Sequence, residues 1–348
     1  MSIPYRTRQA LKKLMLVLVA LVLFALLIMV CWVLWLNRYV IYSQDGAKLD
    51  FTLSVQYPTG QLPEAPDAPT PPTIHDHAET EDGTTGTPFA QFSGYYVSLK
   101  DLTENFSQVK NALLALPKES TIKLELKDLR GLVYYSSTVA PSPTTFDVTQ
   151  VDALLEELRK DGHYVIVQIP AFQEYYFIME NERERVPFGL PRAGGNGSLW
   201  LDTSGSAPCY WLNPASDGTM TYLIQLVTEL RSKGVNEVVF SGWRFPDTEN
   251  ISYSSDKMTA LTESASTLVK TCATDAFAVS FTRYTADLPL PEGRTRLYLI
   301  GVGATGIESA AAAVDFPNKA AQLVFLTDSG DPRFDNFSAL RPLDWEIE

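Results

Sequence analysis

The sequence predicts an α/β chain: a (β/α)8-type TIM barrel preceded by one transmembrane helix. Three observations carry this. From Phe92 onward, strand-like and helix-like segments alternate, the signature of a parallel sheet wrapped by helices. Seven such strands fall in roughly 250 residues, the usual length of a barrel of eight. Residues 14–36 form an uninterrupted stretch without a charge, rich in Leu, Val, Ala and Ile, and match the roughly 20 residues needed to cross a bilayer.

The first elements set the topology. Residues 1–13 carry Arg6, Arg8, Lys12 and Lys13, whereas only Arg38 closely follows the apolar stretch. The positive-inside rule therefore leaves the N-terminus in the cytoplasm and the rest of the chain outside a plasma membrane crossed once. A cleaved signal peptide would have a shorter apolar region and a small-residue cleavage site. Here Trp32 and Trp35 stand at that end and, with Tyr39, suit an interfacial aromatic belt. Residues 37–56 read as a hairpin, with strands at 39–42 and 49–53 around the turn signal Asp45-Gly46. Residues 57–91 shift to Pro, Thr, Asp, Glu and Gly with few large aliphatic side chains, a composition that buries too little apolar area to offset ordering entropy. They read as an acidic, disordered linker, and His75 and His77 inside it have no scaffold on which to hold a metal.

Residues 92–348 are the barrel. Strands are expected at 95–99, 121–127, 164–169, 236–241, 277–282, 296–300 and 321–327, with the eighth at 343–347 or missing. Helices are expected at 102–116, 151–160, 222–232, 258–272 and 307–314, the second capped by Asp147 or Thr149. The long connections follow the second, third and fourth strands, on the face where barrel enzymes keep their chemistry. The third strand's loop, 171–216, holds Phe172, Tyr175, Tyr176, Trp200, Tyr210 and Trp211. Such rings suit the apolar faces of sugars, and they equally suit packing the loop down. In 236–246, NEVVFSGWRFP, Val238 and Phe240 alternate with Glu237, Val239 and Ser241, and Trp243, Arg244 and Phe245 follow at the strand's C-terminal end.

A net charge of −13 and a sequence pI near 4.8 exclude a nucleic-acid partner, because no basic patch is available to displace phosphate counterions. Cys209 and Cys272 fall at opposite ends of the expected barrel, so no disulfide is expected between them. No phosphate loop, zinc spacing or calcium loop is present, and no cofactor or metal is implied.

Lys127-Asp128 with Gly131, Val133 and Tyr135, then Trp200, Asp202 and Trp211-Leu-Asn-Pro214, then Phe240 with Arg244-Phe245-Pro246, resemble the bacterial putative glycosyl hydrolase domain family over about residues 93–284. The resemblance implies a barrel similar to the alpha-amylase-like glycoside hydrolases, and members often carry an N-terminal membrane segment. It also exposes departures. Ser241 stands where the family has an acid, Gln168 where it has an Arg, Asn213 where it has an Asp in the Trp-x-Asp-Pro element, and Thr282 where an acid is expected on the fifth strand. Each removes a charge at or near the barrel mouth.

Hydrolysis of a glycosidic bond normally uses two carboxyl groups. Ser241 replaces neither, and the only histidine in the barrel, His163, belongs to the other end. The candidate catalytic acids are Glu125, Asp202 and Asp247, with Asp128 and Glu174 as further carboxylates. Glu125 and Lys127 share a strand face and are expected to form an inward ion pair, more readily structural than catalytic. Candidate substrate contacts are Lys127, Asp128, Phe172, Trp200, Trp211, Trp243 and Arg244. Three readings stand: a membrane-tethered barrel binding carbohydrate or another envelope polymer with weakened or lost catalysis, an active hydrolase with relocated carboxylates, and a protein-interaction module of the cell envelope.

Overall fold

The computed structural model describes residues 89–345 except 181–187, 196, 206–207 and 283–289, together with Met15, Met29, 40–43, 46–49 and 55–56. The expected membrane helix lies outside the described residues, apart from Met15 and Met29, which are helical and exposed. Among the described residues no helix is long and apolar enough to cross a membrane. Most of the expected linker also lies outside them.

Eight parallel strands close into a barrel: β1 (Ser93–Val97), β2 (Thr121–Glu125), β3 (Tyr164–Pro170), β4 (Glu237–Ser241), β5 (Ala278–Thr282), β6 (Leu297–Ile300), β7 (Leu323–Leu326) and β8 (Ser338–Pro342). They neighbour one another in chain order, and β8 pairs with β1 through Ala339↔Ser93 and Leu340↔Gly94. The period-2 pattern sorts their side chains. Ile166, Val239, Tyr298, Val324 and Leu340 meet inside the barrel. Ile122, Leu124, Val165, Val167, Val238 and Phe240 instead join the larger outer core against the helices.

The eighth strand corrects the sequence expectation. It precedes 343–347, and Ser338-Ala339-Leu340-Arg341-Pro342 lacks the β-branched and aromatic residues that mark a strand. Burial decides there: Ser338, Ala339 and Leu340 are all within 1 % of complete burial. The helices are α1 (Leu99–Glu104), α2 (Phe106–Leu114), α3 (Thr149–Lys160), α4 (Tyr176–Glu180), α5 (Asp217–Ser232), α6 (Lys257–Cys272), α7 (Ile307–Ala312) and α8 (Lys319–Gln322). The single helix expected at 102–116 is two, broken at Asn105, whose φ of −130° and ψ of 35° leave the helical region. Ser98 caps α1 by accepting from the Asp101 backbone N–H at 3.1 Å. Asp147 accepts from the Thr149 N–H at 3.0 Å at the start of α3.

The N-terminal end of the barrel is closed by polar and aromatic groups. Glu237 is fully buried and accepts from Ser280 Oγ at 2.6 Å, Tyr298 Oη at 2.8 Å and Tyr164 Oη at 3.0 Å, and it pairs with Arg296. The Arg296 guanidinium lies 3.8 Å from the Phe89 ring centre and 4.9 Å from that of Phe92. Phe89 therefore belongs to the barrel, and the folded region begins before the expected boundary at 91. Gln91 agrees, since its amide donates to the Asp335 carbonyl at 2.7 Å.

Ahead of the barrel, Val40–Ser43 and Gly46–Leu49 pair antiparallel, from Val40↔Leu49 to Ser43↔Gly46. This is the expected hairpin with its second strand starting three residues earlier. Val55–Gln56 pairs antiparallel with Ser142–Pro143, in the connection after β2.

Candidate functional site

Glu125 ends β2 on the inner face and is 14 % exposed, so it reaches the mouth. Its Oε1 accepts from Gln168 Nε2 at 2.9 Å, and its Oε2 accepts from the Leu99 N–H at 3.2 Å. Lys123 Nζ lies 3.9 Å from Oε1. The expected Glu125–Lys127 pair is not formed. Lys127 turns instead to Glu174, 2.5 Å away, with both side chains fully buried. Lys127 also donates to the Pro170 carbonyl at 3.2 Å, and Tyr222 Oη donates to Glu174 Oε1 at 2.7 Å. The strand ends at Glu125, so the alternation that would have kept Lys127 beside it no longer applies. Gly131 makes the closure possible. Its φ is +98°, and a Cβ there would sit 1.8 Å from Glu174 Oε2.

Asp128 is 1 % exposed, and its Oδ1 accepts from the Leu132 and Arg130 N–H groups at 2.8 and 2.9 Å. Its Oδ2 has no hydrogen-bond partner among the described residues. Burial pushes this carboxyl up to about 7, against the pull of those N–H groups and of Arg130 and Lys127. Asp128, Glu125, Lys127 and Gln168 line a small cavity.

The loop after β3 is not irregular. It folds as a three-stranded antiparallel sheet of Gln173–Glu174, Cys209–Trp211 and Leu201–Asp202. Asp202 serves that sheet: Oδ2 accepts from Trp211 Nε1 at 2.9 Å, and Oδ1 accepts from the Ser204 N–H at 2.9 Å and Oγ at 2.6 Å. Phe172, Trp211 and Trp243 are buried. Trp243 packs among Phe172, Phe281 and Phe240 at 4.6, 4.8 and 5.5 Å between ring centres and donates Nε1 to the Leu261 carbonyl of α6. These three rings, expected at the mouth, present no open face to it; the apolar area that suits a sugar suits the core equally. Trp200 is half-buried against the same cluster. The Arg244 guanidinium lies 5.2 Å from the Trp211 ring centre, and Asp247 is exposed on the following loop.

The positions where the family resemblance leads one to expect acids are placed as follows. Ser241 and Thr282 end β4 and β5 in line with Val239 and Ser280, and both are buried. Asn213 accepts from the Ala215 N–H at 3.1 Å in the turn before α5. His163 lies against the Ser120 carbonyl at the barrel's N-terminal end, remote from Ser241. Cys209 and Cys272 are free and buried, and burial raises both thiols, to about 12 and about 11.

A larger opening lies elsewhere. A cavity of about 500 Å³ sits over the C-terminal ends of β1, β2, β6 and β7, diametrically across the barrel from β4. Tyr96, Ser98, Glu125, Thr327, Asp328 and Phe334 help line it. Of the expected site residues only Glu125 reaches it. Asp328, two positions past the end of β7, is missing from the sequence expectation, although an acid close behind a barrel strand is a readable signal.

Residues 94–281, more than half of the chain, match the family described as putative glycosyl hydrolase domain. The chain belongs to that family. No curated protein matches it in sequence. Among solved structures, this family member is similar to a hypothetical protein from Ruminiclostridium thermocellum ATCC 27405, at 18 % identity over 53 % of this chain and 96 % of that one, with a TM-score of 0.43. It is also similar to a cycloisomaltooligosaccharide glucanotransferase from Paenibacillus sp., at 10 % identity over 68 % of this chain and only 38 % of that one, with a TM-score of 0.46. A third is the catalytic domain of a beta-amylase from Paenibacillus polymyxa, at 9 % identity over 73 % and 92 % of the two chains, with a TM-score of 0.45.

Proposed function

We propose that this family member is a membrane-anchored, extracytoplasmic barrel that binds cell-envelope or extracellular carbohydrate at its mouth, with hydrolysis weakened or lost. One observation carries the reading: the last inward positions of β4 and β5 hold Ser241 and Thr282, and the inward position of β3 one step before its end holds Gln168, all buried and none able to serve as a catalytic carboxylate. Two other acids near the mouth are committed to the fold, Glu174 to Lys127 and Tyr222, and Asp202 to Trp211 and Ser204. The open cavity over β1, β2, β6 and β7 offers a binding volume within the roughly 300–1,000 Å³ common for small-molecule sites. The anchor is residues 14–36, on the strength of their charge-free length and the basic residues ahead of them.

A second reading, an active glycoside hydrolase with relocated carboxylates, is favoured by Glu125 and Asp328 lining one cavity. The detergent-solubilised full-length chain, titrated with cell-wall oligosaccharides while reducing ends are assayed, separates the two. Binding without turnover supports the first. Turnover lost in Glu125→Gln and in Asp328→Asn would establish the second. Protease added to intact cells should cut within 57–88 and release the barrel; a protected barrel would overturn the topology.

A further inference from the structure

We infer that the cavity over β1, β2, β6 and β7 is built for a positively charged sugar unit, an amine-bearing hexose of a glycan, and that Asp328 reads its ammonium group. This rests on the carbohydrate-binding reading and adds to it the class of sugar. Among the described residues, the only charged side chains lining the cavity are Glu125 and Asp328, and no Lys or Arg lines it. The two carboxylates differ in what they have left to give. Glu125 has a bond on each oxygen and Lys123 at 3.9 Å. Asp328 is exposed and takes part in no ion pair or side-chain hydrogen bond among the described residues. The uncompensated charge of the cavity is therefore at the end of β7.

The rest of the lining suits a polyol. Thr327 Oγ1 accepts from the Ser329 N–H at 3.0 Å, and Ser329 Oγ accepts from the Asp331 N–H at 3.2 Å. Each hydroxyl is used as an acceptor, so its O–H remains to donate to a sugar oxygen. Gly301 and Gly303 present bare backbone, with no atom within 4 Å of the space a Cβ would take. The buried Phe334 contributes an apolar wall. A metal ion is a poorer fit, because no group of three or more His, Cys, Asp or Glu that could hold one exists among the described residues. An anionic glycan would meet two carboxylates locally and a net charge of −13 at long range.

The test is calorimetric titration of the detergent-solubilised full-length chain at mildly acidic pH with three probes: glucosamine oligomers, their N-acetylated counterparts and galacturonate oligomers. A charge-assisted contact predicts that the glucosamine oligomer binds about tenfold tighter than the acetylated one, with the advantage shrinking as salt is added. Asp328→Asn should erase the advantage, bringing the affinity for the glucosamine oligomer down to that for the acetylated one. Equal affinity for the amine and acetyl forms, or preference for the galacturonate, would overturn the charge reading and leave carbohydrate binding standing. An amine preference that survives Asp328→Asn would overturn the assignment to that residue. Failure of every oligosaccharide to bind would overturn both this inference and the reading beneath it.

Discussion

The two ends of the barrel each hold a carboxylate on an inward strand position, and they treat it in opposite ways. At the N-terminal end, Glu237 is fully buried, receives three hydroxyl donors and pairs with Arg296, which is itself held by the Ala321 carbonyl and by aromatic rings. At the C-terminal end, Glu125 is partly exposed, and Asp328 opens on the same cavity with no ion pair among the described residues. A saturated buried charge is committed to structure, because every group around it was desolvated to serve it. A charge with spare hydrogen-bonding capacity beside a cavity is available to something from outside.

The strongest way to break the comparison is at the N-terminal end. Glu237→Ala leaves the Arg296 charge buried and three donors unanswered, so it should cost roughly 3–5 kcal/mol of stability. Urea unfolding followed by tryptophan fluorescence measures this, and a loss as small as that of a surface substitution would place Glu237 outside the structural class.

Asp128 sharpens the other side, since it sits at the mouth yet is sealed. Its folded form holds a proton more firmly than the unfolded chain does. Its contribution to stability is therefore full below the ordinary carboxylate range and is lost as pH rises through about 7. Asp128→Asn should flatten that part of the profile and be more stable than the native chain at pH 8, by on the order of a few kcal/mol, with no advantage at acid pH. Parallel unfolding curves for the two chains across this pH range would show the carboxyl to be ordinary.

The smallest effect is expected at Asp247, exposed on the loop after β4. Asp247→Asn should change stability by no more than about 0.5 kcal/mol. It should leave oligosaccharide binding unaltered in the same titrations. A lost activity would return this residue to the candidate acids.

The order of strands and helices was legible because alternation of side chains within a strand and recurrence along a helix are local properties. NEVVFS announced both its faces, and the structure sorts Glu237, Val239 and Ser241 from Val238 and Phe240 accordingly. β8 was hidden because Ser338, Ala339 and Leu340 owe their strand to neighbours β7 and β1 rather than to their own propensity. The site was less legible for a related reason. Lys127 finds its partner 47 positions away in Glu174, on a loop that turns back as a small sheet, and no spacing encodes that. Trp211 and Trp243 look like sugar platforms in sequence because burial and stacking call for the same rings. Only the Asp202 and Leu261 acceptors of their indole N–H groups tell the two uses apart.

Phe89 and Phe92, layered on Arg296 beneath the barrel, have a geometric consequence for any glycan that visits the other end. Together with Ile166, Val239, Tyr298, Val324 and Leu340, which fill the interior, they leave the barrel a plugged bottle rather than a tube. On the proposed reading a polysaccharide is not drawn through it as thread through an eye, but comes and goes by the mouth alone.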